Sequence, residues 1–163
     1  MEVRFTGEGS LSYQVSGRYF TPWSVKPAPE PLSIDVSYGR TRLAQDQIVT
    51  ATATVRNNLT TGANMVMVDL GIPPGFDLLS EDLQDYREKS AVLKSGRLEK
   101  YSVTPTHAVL YLDSIPPRGE FKLPFRLRAK YPIRARTFES RVYEYYAPDV
   151  SGFATPVQLE VRK

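Results

Sequence analysis

The amino-acid sequence predicts an all-β protein: an antiparallel, immunoglobulin-like β-sandwich with one short α-helix inserted in a crossover. Three observations carry this. Beyond residue 32, apolar residues recur at every second position in one segment after another, the period of a pleated strand with one face inside. Only one segment departs from that period. Finally, Arg141 Val142 Tyr143 Glu144 Tyr145 Tyr146 holds Val and three Tyr within five positions, a composition that suits a half-buried strand. With bulky aromatics on both faces, that strand is expected to lie centrally and to be covered on both sides, with Ala147 Pro148 Asp149 stopping it.

The elements follow in order. Val3 to Thr6 and Leu11 to Phe20, separated by Gly7 Glu8 Gly9, read as a hairpin or as the last strands of something larger. Pro22, Pro27, Pro29 and Pro31 then remove backbone donors and favour extended geometry, so the segment reads as a linker. The expected division is residues 1–20 as terminal strands of a preceding domain, 21–31 as a Pro-rich linker and 32–163 as the sandwich. Within the last part, Leu32, Ile34 and Val36 alternate with Ser33, Asp35 and Ser37, and Val49, Ala51, Ala53 and Val55 with Thr50, Thr52, Thr54 and Arg56. Met65 to Leu70 is apolar at nearly every position, as in a central strand covered on both faces. Leu98 to Val103 and Ala108 to Leu112 come next. From Phe121 to Tyr131, Phe121, Leu123, Phe125, Leu127, Ala129 and Tyr131 are expected to face the core, opposite Lys122, Arg126, Arg128 and Lys130. Pro124 falls on the polar side and marks an edge or a bulge. Val157, Leu159 and Val161 close a series of seven or so strands.

The exception lies between Ser80 and Ser90. Leu79, Leu83 and Tyr86 are four and three apart, one stripe of a helix. Ser80 is the expected N-cap, with Glu81 and Asp82 in the first turn where the helix dipole favours them. Pro73 Pro74 Gly75 separates this helix from the strand before it.

Composition sets the limits. A chain of 163 residues accommodates one domain, or one domain and a fragment, burying roughly 70% of the surface that its unfolded form exposes. Net charge is +3, compatible with nucleic acid without arguing for it. No apolar run approaches the roughly 18 residues of a membrane helix, so no membrane insertion by this segment is expected. Cysteine is absent, which excludes a disulfide framework, a thiolate metal site and a cysteine nucleophile. Met1 to Phe5 lacks the apolar core of a signal peptide: the chain is either cytosolic or a piece of a longer exported protein.

Candidate chemistry is sparse. His107 is the only histidine, and a lone histidine at the mouth of a strand is more often packed than catalytic. Gly7 Glu8 Gly9 lacks the third glycine and following helix of a phosphate cradle. No serine sits in a nucleophile elbow. Asp82, Asp85 and Glu88 are spaced to share a cation on one helix flank, though carboxylates at such spacing are usually only solvated. Asn58 Leu59 Thr60 matches a glycosylation acceptor, a short pattern that chance produces often. No catalytic residue, metal site or cofactor is expected. The basic residues Arg118, Lys122, Arg126, Arg128, Lys130, Arg134, Arg136 and Arg141 face only Glu120 and Glu139. Their aromatic neighbours point to the core rather than forming a stacking platform for nucleic acid. A charged face that protects an edge strand from aggregation, or one that meets a neighbouring domain, accounts for them.

The order of these segments carries a resemblance. Met65 to Leu70, Pro74 Gly75 Phe76, a short helix, Thr106 His107 Ala108 Val109 Leu110 Tyr111 Leu112 Asp113, and Val142 Tyr143 Glu144 Tyr145 Tyr146 together resemble the C-terminal receptor-binding domain of alpha-macroglobulins, over about residues 32–163. Phe5 Thr6 Gly7 Glu8 Gly9 to Tyr19 also looks like the final strands of the CUB-like domain preceding it in that family. The resemblance implies a macroglobulin-type sandwich within a large extracytoplasmic protein, secreted, periplasmic or on the cell surface, that traps proteases. In the family, cleavage of a bait region triggers a collapse, exposes a reactive thioester elsewhere in the chain and frees this terminal domain. The implied partners are the other domains of the parent chain, above all the thioester-bearing one, and target proteases only indirectly. The domain itself would be non-catalytic.

Two departures limit what the resemblance carries. Family members that engage an endocytic receptor use two lysines one helical turn apart; the matching positions here are Ser80 and Gln84. The outward ridge is instead Glu81, Gln84, Asp85 and Glu88, which an acidic lysine-capturing receptor would repel. Receptor binding is therefore not carried over, and with the missing cysteines this points to a bacterial homologue. The expected interaction surface comprises that ridge with Arg126 and Arg128, packing against and shielding the thioester-bearing part. The competing reading is a free-standing sandwich that binds carbohydrate or a cell surface through exposed aromatics.

Overall fold

The computed structural model describes residues 30–163, with residues 6–9, 12, 14, 16 and 17 before them. Apart from those few positions, the strands expected over residues 1–20 lie outside the described residues, as do all but the last two residues of the linker. Twelve strands and one helix follow: β1 (Leu32–Tyr38), β2 (Arg42–Ala44), β3 (Ile48–Asn57), β4 (Ala63–Gly71), β5 (Phe76–Leu78), α1 (Glu81–Ser90), β6 (Leu98–Val103), β7 (His107–Ile115), β8 (Glu120–Ala129), β9 (Ile133–Arg136), β10 (Ser140–Glu144), β11 (Ala147–Ala154) and β12 (Gln158–Arg162).

They form a sandwich of a four-stranded sheet, β1-β3-β8-β5, and a five-stranded sheet, β11-β10-β4-β7-β6, with a three-stranded sheet, β2-β12-β9, packed beside them. Pairing is antiparallel throughout the first two sheets, and only β2 and β12 run parallel. The alternation read from the sequence is the cause. In β8 every second residue from Phe121 to Ala129 is buried, against Val49, Ala51, Ala53 and Val55 of β3. The inner face of the second sheet contributes Val66, Val68, Leu70, Leu110, Leu112 and Val142, all at most 1% exposed, so both faces merge into one core. Burying each such side chain contributes roughly 1.5–3 kcal/mol.

The helix forms where expected. Leu83 is fully buried and Tyr86 stacks edge-on against Phe121 at 5.5 Å. α1 spans from β8 of one sheet to β6 of the other and closes that side of the sandwich. Ser80 precedes it but makes no side-chain cap; its carbonyl instead accepts the N–H groups of Leu83 and Gln84. At the far end the buried Ser90 hydroxyl accepts the Leu98 N–H at 3.0 Å and fixes the entry into β6.

Pro124 sits on the exposed side of β8, as its place in the pattern requires. Arg126, two residues on, turns its N–H away from β3, towards Asp82. By the same alternation the Pro124 nitrogen also points away from the ladder, where no strand bonds it, and no sheet hydrogen bond is lost.

Four further expectations need correction. The strand begun at Arg141 ends at Glu144; Tyr145 and Tyr146 form the two-residue connection to β11, so Ala147 and Pro148 open a strand rather than stop one. β10 is next to the edge of its sheet, and its outer face is open rather than covered. Tyr131 lies beyond the end of β8 and is 59% exposed instead of facing the core. The strands also exceed seven, because β2, β5 and β9 are only three or four residues long.

Candidate interaction surfaces

The acidic helix and the basic strand, distant in sequence, meet in space. Asp82 receives the Arg126 guanidinium in a forked pair, Nη2 to Oδ1 at 2.7 Å and Nε to both oxygens at 3.0 Å, and its Oδ2 also accepts the Arg126 backbone N–H at 2.7 Å. These hydrogen bonds hold the Asp82 carboxyl below its ordinary range, against the upward pull of partial burial. Arg126 is thus a helix anchor rather than a free cation. Around the pair, Thr50, Asp85, Tyr86, Lys89, Pro124 and Phe125 complete a shallow cavity of about 320 Å³.

The rest of the expected surface remains outward. Glu81, Gln84, Asp85 and Glu88 are exposed along α1, with Gln84 donating to Glu88 at 2.6 Å and Asp85 within 3.9 Å of Lys89. Arg128 is exposed on β8, across from Asp77 of β5. Asp82, Asp85 and Glu88 do not converge on a cation; no group of three potential ligands occurs among the described residues. His107 packs its ring 5.5 Å from Phe138 and hydrogen-bonds Thr106. The Asn58 amide donates to the Glu30 carbonyl and the Ser33 hydroxyl, so it is already engaged.

A second surface was not visible in the sequence. On the outer face of the five-stranded sheet, Met65, Met67, Tyr111, Tyr145 and Tyr146 line an apolar cavity of about 300 Å³. Met65 is 47% exposed, Tyr145 52% and Tyr146 80%. This is a concentration of large apolar side chains in water that most of the surface avoids. The backbone is arranged to present it. Met65 adopts φ +48°, a left-handed conformation uncommon for a side-chain-bearing residue, and its carbonyl accepts the Tyr145 N–H at 2.9 Å. Glu144 accepts the neighbouring Asn64 N–H at 3.0 Å and fixes the turn. The two tyrosine rings meet edge to face at 5.0 Å, and Lys100 lies over the Tyr111 ring. Farther along, the Arg141 guanidinium stacks against both Tyr143 and Phe153. The available signal was the adjacency of Tyr145 and Tyr146 before Ala-Pro: a period of two cannot bury both.

Comparison with known proteins places this arrangement. The A-macroglobulin receptor binding domain family matches residues 61–155, more than half of the chain. Complement C3 of Eptatretus burgeri is 29% identical over 86 residues, 52% of this chain and 5% of that protein. Native alpha-2-macroglobulin from Escherichia coli, spanning domain MG7 to the C-terminus, superposes with a TM-score of 0.69 at 16% identity, over 86% of this chain and 25% of that one. Salmonella alpha-2-macroglobulin reacted with methylamine gives 0.68 at 15% identity, over 85% of this chain and 10% of that one. These structural likenesses concern the fold, and the chain spans only a small part of each relative. The chain belongs to the alpha-macroglobulin receptor-binding domain family.

Proposed function

We propose that this chain is the non-catalytic C-terminal interaction domain of an alpha-macroglobulin-like protease-trapping protein, acting outside the cytoplasm, where it packs against the thioester-bearing domain and shields the thioester. The observation that carries this is the apolar surface of Met65, Met67, Tyr111, Tyr145 and Tyr146. A thioester survives only where water and amines are excluded, and a rigid sheet face bearing aromatics supplies a dry cover without chemistry of its own. Residues 1–20 then belong to the preceding domain and 21–31 to the linker. The ridge Glu81, Gln84, Asp85 and Glu88, with Arg128, offers a second, weaker contact, whereas Arg126 is engaged internally by Asp82.

The test uses the full-length parent polypeptide. Replacing Tyr145→Ser and Tyr146→Ser alters two exposed turn residues and is expected to leave folding intact while methylamine adds to the thioester faster, read as an adduct by intact mass. An unchanged rate would remove this face from the account. Absence of any adduct in the parent would leave a trap that works without covalent capture. A glycan array tests the free-standing binding module. Tyr145 and Tyr146 stand perpendicular, with an interplanar angle of 90°, and so do not form the flat platform that sugar rings stack on; selective glycan binding would nevertheless favour that reading.

A further inference from the structure

The outer face of β2, β12 and β9 collects charge. Arg42, Arg134, Arg136 and Arg162 are all exposed there, while Leu43, Leu159 and Val161 turn inward to the core. Register aligns them: Glu160 lies opposite Arg42 on one side and Arg134 on the other, and Arg136 lies opposite Gln158. These three strands hold four arginines against one glutamate, a local excess of positive charge.

The face already shows which group it takes. Glu160 accepts from Arg162 Nε at 2.8 Å and lies 3.7 Å from Arg42 Nε. Arg134 feels Glu160 across the ladder without a close ion pair, and Arg136, opposite the neutral Gln158, makes no ion pair among the described residues. Two arginines on alternate positions of one strand, their backbones about 7 Å apart, suit carboxylates, which arginine engages through a planar fork. Among the described residues of these three strands there is neither an exposed apolar wedge for a membrane nor an aromatic platform for nucleic-acid bases. A patch three short strands wide is also too small for a free partner, which needs on the order of 1,000 Å². A tethered domain needs less, because its effective concentration is high.

We infer that this sheet, through Arg134 and Arg136, docks an acidic surface of a neighbouring domain within the longer polypeptide. The inference rests on the reading of this chain as one domain of such a polypeptide, and it concerns a face distinct from the apolar one.

The experiment compares modification of Arg134 and Arg136 by phenylglyoxal, followed by peptide mass spectrometry, in the native full-length polypeptide and in the 163-residue chain. Both residues are expected to react several-fold more slowly in the full-length protein at low salt, and the difference is expected to shrink as salt screens the contact. Equal rates overturn the docking alone. Protection that persists at molar salt overturns its ionic character. A native polypeptide no longer than this chain overturns the multidomain reading together with it. Sedimentation of the isolated chain with phosphatidylglycerol vesicles, abolished by Arg134→Glu with Arg136→Glu, would reassign the face to lipid.

Discussion

Asn57 shows how one side chain can hold several loops. It is 1% exposed, and its amide donates to the carbonyls of Thr61, Ile115 and Pro116 at 2.8, 3.2 and 3.1 Å while its Oδ1 accepts the Leu59 N–H at 2.9 Å. The connection between β3 and β4 is thereby tied to the one between β7 and β8. Replacing it leaves buried backbone groups without partners, each costing about 1–3 kcal/mol. Asn57→Ala is therefore expected to destabilise the fold by about 2–3 kcal/mol, read from the urea midpoint. Asn57→Asp should do no better, since a carboxylate would face three carbonyl oxygens. A shift of only a few tenths would show that water replaces the amide. At this scale the sequence was partly legible. Alternation assigned Phe121, Leu123, Phe125 and Leu127 to the core, because inside and outside differ by one residue in a strand. It failed at Tyr131, Tyr145 and Tyr146, which lie just past strand ends where the period no longer constrains the side chain. Asn57 itself gave no signal, since its partners lie as far as 59 positions away.

Among the elements, α1 has the most to lose from a single change. Ten residues are marginal as an isolated helix, and only Leu83 and Tyr86 bury apolar surface against the sheets. Asp82 adds the polar anchor. Asp82→Asn keeps the shape but removes the charge, and is expected to cost about 1 kcal/mol, an exposed pair being worth less than a buried one. Faster amide exchange confined to α1 would locate the loss. The pH dependence has a definite sign. Because the folded Asp82 is held below its ordinary range, its contribution is fully present above the unfolded carboxylate value near about 3.9 and disappears as pH falls through the lower folded value. The stability gap between native protein and variant should therefore close on acidification below about pH 4; a gap independent of pH would mean that packing, not charge, is at stake. The helix was legible from its spacing, whereas its clamp was not, because Asp82 and Arg126 are 44 residues apart and each alone reads as a solvated charge. Likewise β2, β5 and β9 are too short for a period of two to register.

The whole molecule closes on two sides by different means. α1 bridges β8 and β6, while on the opposite side β1 of one sheet comes against β11 of the other. That approach is close enough that a Cβ added at Gly152 would collide with the Leu32 backbone carbonyl. Backbone cannot yield as a flexible side chain does, so the sheets must part locally. Gly152→Ala is expected to cost about 1–3 kcal/mol through overpacking. Since a single core cluster spans both large sheets and reaches Leu43, Leu159 and Val161 of the third, residues 30–163 should unfold as one cooperative unit. Urea unfolding followed by far-ultraviolet circular dichroism and by tyrosine fluorescence should give coincident curves, and Gly152→Ala should move both midpoints together with an unchanged slope. If only one probe moved, the sheets would be separable, and the apolar and arginine faces would then rest on parts able to shift independently. Coincidence would instead mean that both faces are held on one rigid body, so that a domain docked on one fixes the direction in which the other points.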